Sequence, residues 1–124
     1  MRTSPDRIEQ LAPHEVFVFG SNASGAHGGG AARLAQERFG AVPGEGHGLH
    51  GQSYAIDTMS GLPTIEREVA AFLAFAAAHP GTDFLVTELG CGIAGHEPSE
   101  IAPLLADAGE NVLLPARFRA ILDA

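Results

Sequence analysis

Apolar residues along this chain come in short blocks whose spacing switches between two periods. From Glu15 to Gly20 the run Val16-Phe17-Val18-Phe19 has no polar interruption, which predicts a strand covered on both faces. Ser53 to Thr58, Asp83 to Thr87 and Asn111 to Pro115 predict three further strands. Between them the period lengthens. Ala32, Leu34, Ala35 and Phe39 share one stripe while Arg33, Gln36, Glu37 and Arg38 point outward, so a helix is expected from Gly29 to Phe39, where Gly40 stops it. A longer helix is expected from an N-cap at Thr64 to about Ala78, with Ile65, Val69, Phe72, Leu73 and Ala76 on its buried side and His79-Pro80-Gly81 ending it. Pro98 to Ala106 predicts another helix with Ser99 as cap, and Arg117 to Leu122 a terminal turn or two. Ser4-Pro5 ahead of Asp6 to Leu11 has the form of a short capped helix ended by Pro13. Residues 41–51, with four glycines and a proline, are expected to form no regular element and to face a ligand or remain flexible.

Strands alternating with helices in this order imply one α/β domain over residues 1–124, with a mainly parallel sheet covered on both faces. The carboxyl ends of its strands share one edge. Two glycine-rich stretches leave strands at that edge: Gly20-Ser21-Asn22 through Gly28-Gly29-Gly30, and Gly90-Cys91-Gly92-Ile93-Ala94-Gly95-His96. Loops of this kind hold phosphates through backbone N–H groups and helix N-termini, and close approach of an anion excludes Cβ atoms.

Charge narrows the ligand class. The chain of 124 residues carries a net charge of −8, with seven basic residues, all of them arginine. A duplex nucleic acid needs a basic face, so the charge argues against one as the main partner. An anionic small molecule must then be held mostly by backbone amides. No apolar stretch reaches the roughly 20 residues of a membrane helix, and the N-terminus lacks the apolar core of a signal peptide. A cytoplasmic protein without a membrane partner is expected. The single cysteine, Cys91, leaves no internal disulfide and argues against a zinc cluster.

Several side chains invite chemistry, each with a plainer reading beside it. Asn22 either caps its own loop or bonds ribose hydroxyls. Cys91 near a helix N-terminus would have a lowered pKa and nucleophilic character, against the commoner role of a small buried residue. His27, His47, His50 and His96 fall in loops expected near one edge, where His27 or His96 could act as a general base; their spacings match no zinc pattern, so no metal is expected. Asp57 could orient a water or a ribose, or simply turn the chain. Glu88 would repel a diphosphate and is expected to point away, and Arg117 and Arg119 to lie on a solvated face.

In its order of motifs the chain resembles the macro domains, three-layer α/β/α modules that bind ADP-ribose and related nucleotides, some of which hydrolyse ADP-ribosyl linkages. Asn22 followed by Gly28-Gly29-Gly30 and Ala31-Ala32 is similar to the loop that surrounds the distal ribose. Gly51 to Thr58 looks like the central strand after the family's variable loop. Gly90 to His96, with Pro98 beyond, is similar to the loop that wraps the diphosphate, closest to the branch of minimal macro-like proteins with a Gly-Cys-Gly loop. Asn111 to Leu114 stands where the closing strand belongs. The resemblance implies ligand contacts from Gly20, Ser21, Asn22, Gly28, Gly29, Gly30, Gly90, Cys91, Gly92, Ile93, Ala94, Gly95 and His96, no cofactor, and hydrolysis as an enzymatic extension using Asn22, His27, Asp57 or His96.

The departures are specific. Ala31 and Ala32 stand where one hydrolase branch has an aspartate, the chain has no lysine nucleophile, Ala94 replaces a stacking aromatic, and no strand fits before Glu15 to carry an adenine-reading aspartate. Neither familiar catalytic arrangement transfers. The alternative reading is a non-catalytic macro-like module for protein interaction or assembly. A dinucleotide-dependent oxidoreductase is disfavoured, since no strand-Gly-x-Gly-x-x-Gly unit is followed about 20 residues on by an acidic residue that ends a strand.

Overall fold

In a computed structural model that describes residues 2–124, the apolar run becomes β1 (Glu15–Ser21), the middle strand of five. The other elements are α1 (Gly30–Arg38), β2 (Gly48–His50), β3 (Ser53–Asp57), α2 (Leu62–Ala77), β4 (Asp83–Val86), α3 (Pro98–Ile101), a 3₁₀ turn (Ala102–Leu105), β5 (Val112–Leu113) and α4 (Ala116–Leu122). The sheet runs β2-β3-β1-β4-β5. Pairing is parallel throughout except for β2, which lies antiparallel on β3 with Leu49 opposite Tyr54.

Successive side chains of β1 leave on opposite faces. Val16 and Val18 join Ile56, Phe84 and Val86 in a cluster completed by α2, α3, the 3₁₀ turn and α4. Phe17 and Phe19 join Ala55, Leu85 and Leu113 in a second cluster, covered by Ala35 and Phe39 near α1 and by Ile8. On α2, Ile65, Val69, Phe72 and Ala76 are the buried residues. Each large one stabilises by about 1.5–3 kcal/mol relative to exposure. Among the described residues no helix is long and apolar enough to cross a membrane.

Five expectations need correction, those for Ser4 and Asn111 because distant parts of the chain decide them. Residues 4–11 form no helix. Ser4 donates its amide to the Leu114 carbonyl at 2.8 Å and its hydroxyl to the Val86 carbonyl at 2.7 Å, so the supposed cap is spent on the sheet. Residues 48–50, expected to be irregular, pair with β3 as an edge strand. Helix α2 starts at Leu62, ahead of Thr64, because Gly61 turns the chain at φ 95° and Pro63 suits the first helical turn. The cap of α3 is Glu97, whose carboxylate and that of Glu100 form a reciprocal capping box, in place of Ser99. Asn111, read as the start of a strand, sets its Nδ2 against the carbonyls of Ala76, His79 and Thr82 and so closes the end of α2.

Candidate functional site

The chain passes from β1 to β3 on one side of the sheet and then crosses to β4 on the other, so strand order reverses at β1. Open α/β sheets bind ligands outside the strand ends at such a point. A cleft of about 790 Å³ lies there, lined by Gly20 to Asn22, Gly28 to Ala32, Thr58, Met59 and Thr87 to Ala94. Both glycine stretches therefore reach one cavity of ligand size. A second basin of about 650 Å³ adjoins it, sharing Ala31, Thr87 and Glu88 and bounded by Ser4 to Glu9.

The first loop is built around Asn22. Its Oδ1 accepts from the Ala26 amide and the Ser24 hydroxyl, both at 2.9 Å, and its Nδ2 donates to the Ala26 carbonyl at 2.8 Å. The turn-forming reading of Asn22 thus has its bonds in place. Residues 44–46 buttress this loop from outside. Gly44 donates to the Gly25 carbonyl at 3.0 Å, and Gly46 packs so closely that a Cβ would fall 1.8 Å from the Asn22 oxygen. Helix α1 begins directly after the loop with Gly29 as N-cap and no side-chain cap. Its first-turn amides therefore remain open to a ligand or to water.

The second loop hangs from β4. Thr87 donates its amide and its hydroxyl to the Val18 carbonyl at 3.0 and 2.8 Å, holding the loop base against β1. Cys91 donates to Glu88 and His96 to Gly90 through their amides, while Gly92, Ile93 and Ala94 donate no hydrogen bond among the described residues. Ile93 is 95% exposed, and Met59, which also lines the cleft, 48%. These are the two large apolar groups at its rim.

Glycine has an evident structural reason at some positions and none at others. Gly30 and Gly90 have φ of 58° and 80°, which favour glycine. At Gly20 a Cβ would meet the Thr58 hydroxyl at 2.8 Å. Gly28, Gly29 and Gly92 differ: a Cβ there meets nothing within 4 Å, and none has a positive φ. All three line the cleft.

Glu88 is the one ionised side chain lining the cleft among the described residues. Arg117 binds its two oxygens at 2.6 and 2.8 Å, and that hydrogen bonding holds the carboxyl below its ordinary pKa. Arg117 is thus paired with the loop base, and Arg119, expected on a solvated face, has a buried Nε with no partner. Burial pushes the Cys91 thiol up, with the Glu88 charge adding to it, contrary to the lowered pKa expected of a nucleophile.

The histidines do not gather. His50 pairs with Ser53 at the start of β3, the end of the sheet away from the cleft. His96 sits beside Gly90, and neither it nor Gly95 lines the cavity. His27, buried and also absent from the lining, is the histidine bonded to a lining side chain, through Ser21. Among the described residues no three His, Cys, Asp or Glu side chains converge as a metal site. Asp57 spends its carboxylate on the Met59 amide and the Ser60 hydroxyl, a local turn. Met59, Thr58 and Thr87 are cleft residues that sequence reading missed. Parallel register would have found them, since each lies just past the end of β3 or β4.

Comparison of the chain with protein-family models, with curated proteins and with solved structures gives no match.

Proposed function

We propose that this protein binds ADP-ribose or a related nucleotide diphosphate in the cleft at the ends of β1 and β4, held by the backbone of the two glycine loops. The observation that carries this reading is the group Gly28, Gly29 and Gly92, where the folded chain alone gives no steric reason for glycine and where the side-chain-free surface faces the cavity. Close approach of a phosphate would supply that reason. The unbonded amides of Gly92, Ile93 and Ala94 and the uncapped start of α1 supply donors without any basic side chain. On the same reading, the helices on the two sheet faces make a three-layer α/β/α macro-like fold.

Two adjoining basins suit a ligand longer than a diphosphate alone. The glycine loops would take the phosphates and one sugar, and the basin beside Ser4 to Glu9 the nucleoside end, where Asp6 and Arg7 are polar groups within reach of a base. Binding is the core of the proposal. Hydrolysis of an ADP-ribosyl linkage would need a water aligned on the anomeric carbon, and the side chains of Asn22 and Asp57 are engaged in turns. Calorimetric titration with ADP-ribose tests the reading: saturable heat supports it, and no heat at millimolar ligand with folded protein sinks it.

The exposed Ile93 and Met59 at the rim favour the second reading, a macro-like module that docks a protein partner there. A thermal-shift panel of nucleotides separates the two. A binder gains stability in proportion to the logarithm of ligand excess over Kd, and a docking module gains none.

A further inference from the structure

Ser21 ends β1 and lines the cleft, and its hydroxyl makes one hydrogen bond among the described residues, to His27 Nε2 at 3.0 Å. His27 is 6% exposed. Its ring stands edge-on to Phe19 at 5.4 Å, and its Nδ1 is buried without a partner. A neutral imidazole carries one proton, so the two nitrogens must take opposite roles. Were Ser21 to donate to Nε2, the ring proton would sit on Nδ1, where no described oxygen or nitrogen receives it; the Phe19 ring is at best a weak acceptor. With the proton on Nε2, the orphan is a bare acceptor. The first arrangement buries an unmatched donor that no acceptor can reach, whereas the second moves the unmatched proton to the Ser21 hydroxyl, 3% exposed but lining the cleft, where water or a ligand can accept it; this favours the second arrangement.

We propose that His27 is held as the Nε2–H tautomer and donates to Ser21 Oγ, which leaves the Ser21 hydroxyl proton free to bond an anionic oxygen of a ligand in the cleft. His27 is then a positioning residue acting through Ser21. The identity of that oxygen, a phosphoryl oxygen, rests on the nucleotide diphosphate reading; the tautomer does not. The arrangement suits this cleft, whose one ionised lining side chain among the described residues, Glu88, is negative. A neutral donor of fixed direction attracts a phosphate where the chain offers no lysine.

Long-range proton–nitrogen correlation NMR on the ligand-free protein reads the two ring nitrogens directly. A protonated Nε2 and a bare Nδ1 are expected, and a proton on Nδ1 overturns the inference whatever the protein binds. Titration with ADP-ribose then reads the donor. Ser21→Ala and His27→Phe should each weaken binding about tenfold or more. The double variant should bind no worse than Ser21→Ala, and His27→Gln, which keeps an N–H near the place of Nε2, should recover most of the loss. Unchanged affinity in Ser21→Ala, or no difference between His27→Gln and His27→Phe, overturns the donor role. If His27→Phe fails to fold, the NMR result and Ser21→Ala still decide. A wild-type protein that binds no ADP-ribose overturns the functional reading and the ligand half of this inference, and the tautomer stands or falls by its own spectrum.

Discussion

Replacing Gly28 and Gly92 by alanine, one from each loop, separates a glycine kept for the fold from one kept for a ligand. At both positions the added Cβ meets nothing within 4 Å and the backbone lies outside the positive-φ region, so the folded chain accepts the methyl without strain. Alanine also narrows the unfolded ensemble, which stabilises by about 0.4–1 kcal/mol per site. For a chain of 124 residues this raises Tm by about 1.5–4 °C. A ligand pressed against the loop backbone meets the same methyl as an obstacle. Losing one backbone bond to a charged oxygen costs about 1.5–3 kcal/mol, so ADP-ribose should bind roughly ten- to a hundredfold more weakly. Gly81, equally open and remote from the cleft, is the control: Gly81→Ala should raise Tm and leave affinity alone. Differential scanning calorimetry and titration calorimetry on the same samples give both readings. Full affinity in Gly28→Ala and Gly92→Ala would refute close backbone approach, and a fall in Tm would refute the claim that the fold leaves these glycines unconstrained.

Three further predictions concern the supports of the site. Gly46→Ala places a Cβ 1.8 Å from the Asn22 oxygen, so the two loops must part; overpacking of this kind costs roughly 1–3 kcal/mol, and thermal melts should show the loss together with weaker ADP-ribose binding. Cys91, its thiol pushed up by burial, should react with iodoacetamide more slowly than free cysteine at neutral pH, and Cys91→Ala should keep its affinity; fast alkylation would contradict the assignment. Hydrogen bonds from Arg2 hold Asp83 below its ordinary carboxyl pKa, so its contribution is present above the unfolded pKa near 4 and fades as pH falls through the lower folded value. Asp83→Asn should therefore flatten the acid side of the stability curve, as read by melts between neutral and strongly acidic pH.

Elements with a strong local pattern were legible. The unbroken run at Val16 to Phe19 and the spacing of Ile65, Val69, Phe72 and Ala76 each had one sensible reading, and β1 and α2 follow them. Part of what sequence misplaced was set by pairing with other elements. Ser4 looks like a cap until Leu114 and Val86 take its amide and hydroxyl, and Gly48 to His50 look irregular until β3 pairs with them. In the cleft, the glycine loops announced themselves, whereas Met59 and Thr87 become cleft residues only through the register of β3 and β4 against β1. The role of Cys91 could not be read from its neighbours in sequence, because burial raises its pKa and burial is a property of the fold.

Backbone amide mapping by proton–nitrogen NMR during titration with ADP-ribose tests the central claim most directly. The account predicts saturable shifts concentrated at residues 28–32 and 90–94, the two stretches that line the cleft. An unshifted spectrum at millimolar ligand would contradict it, as would shifts confined to the opposite end of the sheet around Leu49 and His79.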